Sequence, residues 1–476
     1  MFCLTRLAGN LQPFSYYPKA VPIPDKGGSS MFFTGTMRIN EKGRLEIGGC
    51  DTVELARRFG TPLYLMDEDL IRRNCREYTG TLAAVCPNSL VVYAGKAFLT
   101  TAMCRLIDEE GMGLDVVSGG EIYTALKAGF PAGKMFFHGN NKSAAEIRMA
   151  LDCGVGRFVV DSVSELELLE QLAAGVGRTA GIYLRVKPGI EAHTHHYIQT
   201  GQVDSKFGLG LADGQAMAFV KAALKLKHVE LCGLHCHIGS QIFDLKPFQL
   251  AAAVMVDFLN EIKKKTGVVL KELDLGGGFG IRYVEEDTPY AVPEFLELIA
   301  DTVKTKAQEH NLPLPKLLVE PGRSIVGEAG TTLYTVGTVK EVPGIRKYVA
   351  VDGGMMDNLR PALYEARYEA IIADRAADAA EELVSIAGKA CESGDMLIRD
   401  IWLPRLERGD ILAVLSTGAY HYTMSSNYNR FPRPPVIFVS GGEAHVVVER
   451  ETYDDLLRKD VIPPRLQRDG EQGAAK

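Results

Sequence analysis

The sequence predicts a two-domain α/β protein, a (β/α)8 barrel of the TIM type followed by a second, all-β domain of barrel or sandwich form. Three observations carry that prediction. Over residues 89–320 short β-type runs alternate with amphipathic stretches of helical length, the signature of a parallel α/β fold. Eight such runs can be counted, enough to close a barrel. Beyond Arg323 the pattern changes to β-rich runs separated by Gly, Pro and Asp.

In chain order, residues 1–36 form an extension rich in Pro, Tyr and Gly, without the charged start and long apolar core of an export signal. The barrel runs are 90–94, 114–117, 135–138, 158–161, 182–186, 231–237, 273–276 and 317–320. Helical patterns fall between them, as at 144–151, 165–172 and 248–264, with apolar residues spaced by three and four. An open doubly wound sheet would place a G-x-G-x-x-G fingerprint after its first strand, and none follows residue 94. In the second domain strands are expected over 332–340, 348–351, 411–415 and 436–439, with a helical stretch over 367–384. A short helix over 453–458 and a loose tail after 461 close the chain.

The 476 residues are 46% hydrophobic and 24% charged, a globular composition with room for two or three cores at about 150 residues each. Lys and Arg number 53 against 60 Asp and Glu, a net charge of −7 without any long like-charge block, which argues against nucleic acid as a partner. The nine cysteines lie mostly in apolar stretches without C-x-x-C spacing and read as reduced thiols of a cytoplasmic protein. The longest apolar runs, such as 250–256, fall far short of the ~20 residues that cross a bilayer, so no membrane association is expected.

Chemistry in a barrel gathers at the carboxyl ends of its strands. Lys96 ends the run Val91-Val-Tyr-Ala-Gly-Lys96, where burial would lower its pKa and free a neutral amine to attack a carbonyl. An isolated lysine there would instead be a snorkelling surface side chain. Gly276-Gly277-Gly278 ends the seventh run with consecutive unobstructed backbone N–H groups, suited to a phosphate monoester or, out of context, to a plain tight turn. Glu320-Pro-Gly322-Arg323 ends the eighth. A carboxylate ~4 Å from a pyridine nitrogen, at an effective dielectric of ~20, is worth ~4 kcal/mol or about three pKa units, enough to keep such a ring protonated. A structural Glu–Arg ion pair is the alternative.

His235-Cys236-His237-Ile-Gly-Ser240 has the look of a metal cluster, but strand alternation puts both histidines on one face and Cys236 on the other. A flat imidazole on an aromatic cofactor, with Ser240 at its phosphate, matches the neighbouring strand ends better. His193, His195 and His196 form another cluster in a loop and read as solvated. No metal is assigned. In the β domain, Cys391-Glu392-Ser-Gly-Asp395 sets a thiol able to protonate a carbanion beside a carboxylate able to bind an ammonium, or is a polar turn with an incidental cysteine.

Over about residues 37–458, and in order, these segments resemble the diaminopimelate decarboxylase family among the alanine-racemase-like (fold type III) pyridoxal-phosphate enzymes. The resemblance rests on Tyr93-Ala-Gly-Lys-Ala97, Gly113-Leu-Asp-Val-Val-Ser-Gly-Gly-Glu121, His237-Ile-Gly-Ser-Gln241, Gly276-Gly-Gly-Phe279, Glu320-Pro-Gly-Arg323, Arg360-Pro-Ala-Leu-Tyr364, Cys391-Glu-Ser-Gly-Asp395 and Gly418-Ala-Tyr420. It implies a barrel over 67–325 that carries pyridoxal 5'-phosphate, a β domain assembled from 37–66 and 326–450, and a short helix and tail over 451–476.

The resemblance further implies that Lys96 holds the cofactor as a Schiff base, His237 stacks on its ring and Glu320 meets the ring nitrogen. Ser240, Gly276, Gly277, Gly278, Gly322, Arg323 and Tyr420 would surround the cofactor. Arg323, Arg360, Tyr364 and Tyr420 would contact a small-molecule substrate, Glu392 its distal amine, and Cys391 would return a proton. The implied activity is decarboxylation of meso-2,6-diaminopimelate to L-lysine and CO2, in a homodimer whose active sites are shared between subunits. After Gly418-Ala-Tyr420 the family continues with Gly and an aromatic, whereas this chain has His421-Tyr422. Two other readings are a decarboxylase of another basic amino acid (ornithine, arginine or carboxynorspermidine) and a non-catalytic cofactor-binding protein. Arg360 and Tyr364 speak against ornithine and arginine, which have no second carboxylate to bind, and the presence of both Lys96 and Cys391 against the non-catalytic protein.

Overall fold

The computed structural model describes residues 33–190 and 205–468. Its barrel has eight parallel strands, β1 (Ser89–Ala94), β2 (Gly113–Val116), β3 (Met135–Phe137), β4 (Arg157–Val160), β5 (Ala180–Lys187), β6 (Val229–His235), β7 (Glu272–Asp274) and β8 (Lys316–Val319). β5 pairs with β4 on one side and β6 on the other, and β8 returns to pair with β1, so the sheet closes. Each expected run holds one of these strands, displaced by at most two residues.

The helices that wrap the barrel start where the sequence provides caps. Ser118, Ser143 and Ser162 each accept a hydrogen bond from the backbone N–H three residues on, at Glu121, Glu146 and Glu165. In each case the glutamate reaches back to a backbone N–H at the helix start. This S-x-x-E spacing satisfies N–H groups that a helix start otherwise leaves open.

The second domain is organised by the long strand Gly330–Val342. It pairs antiparallel with Arg346–Val351, with Ile411–Val414 and with Leu63–Asp67, a strand from before the barrel. Leu63–Asp67 also pairs in parallel with Val436–Ser440, so the barrel is inserted between strands of one sheet. Successive residues face opposite ways. Leu333 joins a cluster with Leu45, Leu63 and Ile437, while Tyr334 joins one with Val349, Ile386 and Leu412.

The helix expected over 367–384 does not form. Ala370–Ile372 is a strand antiparallel to Ile411–Val414, a single 3-10 turn follows at Ala373–Arg375, and Glu382–Ala387 pairs with both Arg346–Val351 and Met396–Leu403. The alanine-rich composition favours helix, but long-range partners decide otherwise. Asp374 accepts from the Ile411 N–H at 3.0 Å and Arg375 pairs with Asp410. The short helix Tyr453–Leu457 is present, and the segment after it holds a 3-10 turn, Pro464–Leu466. No described helix is long and apolar enough to cross a membrane.

Candidate active site

At the carboxyl end of the barrel the interior changes from apolar to charged. Val92, Phe136, Val159, Tyr183 and Leu318 form one internal cluster. Two residues further along the same strands stand Ala94, His138, Asp161, Arg185 and Glu320, and Asp115, His235 and Asp274 join them from β2, β6 and β7. Period-two alternation brings all of these to one level, and every charged member is buried.

Glu320 lies between two imidazoles. His235 Nε2 is 3.1 Å from Oε2 and hydrogen-bonded to it. His138 Nε2 is 2.8 Å from Oε1 but out of hydrogen-bond alignment, so Oε1 is buried without a hydrogen-bond partner among the described residues. Burial alone would raise the pKa of Glu320, yet the two histidines hold it well below the usual carboxylate range. Burial also pushes His235 down to about 4, so this ring is neutral and donates its Nε2–H. Asp274 moves the other way. Burial and the charge of Glu320 push it well above the usual range. One carboxylate is thus kept ionised and its neighbour protonated.

Lys96 sits on the 3-10 turn Gly95–Ala97 just past β1, its Nζ 3.6 Å from Asp115 Oδ2. The expected fall in its pKa does not occur. Burial does disfavour the ammonium, but the carboxylates, Asp115 above all and then Glu320, outweigh it and the pKa is raised. Lys96 therefore rests protonated and must lose a proton before it can act as a nucleophile.

His237 lies beyond the end of β6 and accepts a hydrogen bond on Nδ1 from the Gly277 N–H at 3.3 Å. Burial, then the positive charges of Lys96 and Arg185, keep this imidazole neutral. The loops after β6 and β7 are joined where the Ile242 N–H donates to the Gly278 carbonyl at 2.9 Å. A Cβ on Gly277 would lie 2.1 Å from the Glu320 carbonyl oxygen, and Gly278 holds a φ of +114°, so this crossing of three loops admits no side chain. Gly322 is similarly confined, against Ala94.

Arg323 donates from Nε and Nη2 to Ser240 Oγ at 3.3 and 3.0 Å, and from Nη1 to the Tyr283 hydroxyl at 2.5 Å. Arg360 donates from Nε to the Tyr368 hydroxyl at 2.8 Å. The Tyr420 ring lies 4.8 Å from the first guanidinium and 5.8 Å from the second, and Tyr364 lies 5.3 Å from that of Arg360. Both arginines are buried, and among the described residues neither has a carboxylate within ion-pair distance. Of the unusual pair after Tyr420, His421 is buried edge-on to Tyr368 at 5.3 Å, while Tyr422 packs against Tyr64 and Phe98.

Cys391 and Glu392 stand apart on an exposed loop whose polar contacts are local. The Cys391 N–H donates to Asn429 Oδ1 at 2.8 Å, and Glu392 Oε1 accepts from the Gly394 N–H at 3.3 Å. His193, His195 and His196 lie outside the described residues. The sequence reading missed Asp115, His138, Arg185, Tyr283 and Tyr368. For the first three a signal existed, because each is a polar residue at an inward position near the end of an apolar strand.

Residues 68–327 match the family model for the pyridoxal-dependent decarboxylase, pyridoxal binding domain. The chain is 54% identical over 431 residues to the diaminopimelate decarboxylase of Bacillus subtilis, covering 90% of this chain and 98% of that protein. The chain belongs to the diaminopimelate decarboxylase family of pyridoxal-dependent enzymes. A family member from Mycobacterium tuberculosis is 45% identical over 431 residues, covering 89% of this chain and 96% of its own. Among solved structures, the diaminopimelate decarboxylase of M. jannaschii in complex with L-lysine superposes with a TM-score of 0.85 at 40% identity, over 91% of this chain and 99% of that one.

Pyridoxal phosphate is the cofactor of this family, and the site fits it at Glu320. Glu320 Oε1, which faces His138 without a hydrogen bond among the described residues, is a buried anionic acceptor of the kind a protonated ring nitrogen needs. The row of unobstructed N–H groups expected at Gly276, Gly277 and Gly278 does not form, because the Gly276 N–H donates to Asp274 Oδ1 at 2.9 Å and the Gly277 N–H to His237 Nδ1 at 3.3 Å, and the glycines instead let the three loops cross backbone to backbone.

Proposed function

We propose that the chain removes CO2 from meso-2,6-diaminopimelate to give L-lysine, the last step of lysine biosynthesis. The observation that carries this reading is the pair of buried guanidiniums, Arg323 and Arg360, which find no carboxylate partner among the described residues. Buried charge is costly unless something compensates it, and a second substrate carboxylate is the natural complement. Pyridoxal phosphate supplies an electron sink for the carbanion that loss of CO2 creates.

The protein contributes the rest. Lys96 is the covalent anchor for the cofactor, with Asp115 beside it governing its proton. Ionised Glu320 would keep the cofactor's ring nitrogen protonated, and neutral His237 would offer its flat face to the ring. Ser240, the glycines at 276–278, Gly322 and Tyr420 would hold the cofactor, chiefly at its phosphate. Arg323, Arg360 and Tyr364 hold the distal carboxylate. Glu392 binds the distal ammonium, and the Cys391 thiol returns a proton to the substrate carbon. The exposed position of Cys391 and Glu392 supports their acting on the site of a second subunit, in a cytoplasmic homodimer.

A site with buried polar groups can reject an analogue lacking their partner by ~10⁴ to 10⁵. The test is a set of parallel incubations with meso-diaminopimelate, its LL isomer, ornithine and arginine. Lysine and CO2 should appear rapidly only from the meso compound. Comparable turnover of ornithine would overturn the assignment.

A further inference from the structure

We infer that Tyr368 and Tyr283 are positioning residues that set which edge of Arg360 and of Arg323 is presented to the distal carboxylate. The inference rests on the reading that these two arginines bind that group. A guanidinium has five N–H donors in one plane, and the two-point hold on a carboxylate depends on which pair is turned toward it. In Arg360 the Nε donor is taken by the Tyr368 hydroxyl at 2.8 Å. No other hydrogen bond engages this side chain among the described residues, so the terminal Nη1–Nη2 edge is the one left for a ligand. In Arg323 all three nitrogens are engaged by hydroxyls, those of Ser240 and Tyr283. Each of these nitrogens gives one N–H, so Arg323 keeps one N–H on Nη1 and one on Nη2 for a ligand, while Arg360 keeps its whole terminal edge.

The choice of phenols has a physical consequence. An Asp or Glu at either position would orient the guanidinium equally well but cancel its charge, whereas a neutral hydroxyl orients it and leaves the charge for the ligand. The two rings also brace each other. Tyr283 and Tyr368 meet edge to face, with centroids 5.4 Å apart and planes at 87°, and both are buried. Tyr283 follows β7 of the barrel and Tyr368 belongs to the second domain, so their contact relates the two arginines across the domain boundary. The Tyr283 ring lies 5.7 and 5.8 Å from the two guanidiniums.

The test uses the holoenzyme with Tyr368→Phe, Arg360→Met and the double variant, assayed on meso-diaminopimelate. Loss of one hydrogen bond to a charged group predicts a roughly tenfold rise in KM for Tyr368→Phe. Its kcat should stay within about threefold and the visible absorbance of its bound cofactor should not change. In the Arg360→Met background the same tyrosine change should move KM by less than about twofold, since contacting residues that act as a unit are non-additive. An unchanged KM in Tyr368→Phe, or an equal tenfold effect in both backgrounds, overturns the inference. If instead Arg360→Met itself leaves KM unchanged, the reading of Arg360 as a substrate ligand fails. Tyr283→Phe, paired with Arg323→Met, gives the same comparison should Tyr368→Phe not fold.

Discussion

Lys96 Nζ lies 3.6 Å from Asp115 Oδ2, the lysine side chain 42% exposed and the aspartate wholly buried. The charge on the proposed anchor is therefore set by a residue on the neighbouring strand rather than by the depth of the lysine. Among the described residues neither Asp115 oxygen has a hydrogen-bond partner, and Lys96 and the more distant His138 face this buried carboxylate.

Asp115→Asn should lower the pKa of Lys96, because it removes the largest contribution that raises it and leaves burial acting. The measurement is the pH dependence of Lys96 modification by an amine reagent in cofactor-free protein. A profile identical to that of the parent would show that Asp115 does not hold the proton.

Glu320→Gln should keep the shape of the site and lose its anionic charge. At ~4 kcal/mol for a close ion pair, kcat is expected to fall by about 10³ while bound cofactor stays near the parent level. Cofactor content and kcat on one preparation check this. A fall of less than tenfold would remove Glu320 from the mechanism.

Asp357 gives a pH signature unrelated to catalysis. Burial pushes it up to about 7 from 3.8, and its Oδ2 accepts the Gly354 N–H at 3.0 Å. A carboxyl with a raised folded pKa contributes fully below about pH 4, and that stability is lost as the pH rises toward 7. The loss is on the order of 4 kcal/mol once complete. Asp357→Asn cannot ionise, so urea midpoints should match the parent near pH 4 and exceed it by pH 8. A gain of equal size at both pH values would contradict the burial argument.

Sharing of sites between subunits is tested by mixing. Lys96→Ala and Cys391→Ala should each be inactive alone. In a homodimer with shared sites, subunits refolded together at equal ratio should recover about a quarter of parental activity, because half the dimers carry one intact site. Failure to recover any activity would place both residues in the same subunit's site.

Much of the barrel was legible because its information is local. Apolar runs of four to eight residues and glycines at strand ends declare themselves within short windows, and Lys96, His237, Glu320 and the glycines at 276–278 were found at the strand ends. The expected helix over 367–384 failed for the converse reason. Its strands Ala370–Ile372 and Glu382–Ala387 exist only because Ile411–Val414, Arg346–Val351 and Met396–Leu403 pair with them. Tyr283 and Tyr368 were invisible in the same way, since nothing adjacent to either marks it as the partner of an arginine.

The order of the strands and the residue types at each strand end were readable from the chain alone, because side-chain alternation acts over a few positions. Tertiary structure decided the charge of each group and the direction in which it points. Lys96 is kept protonated by Asp115, Glu320 is kept ionised by His138 and His235, and Arg360 is turned by Tyr368. Electrostatic energy depends on distances of a few ångströms and on exclusion of water, and both arise only when the strands close around their shared interior.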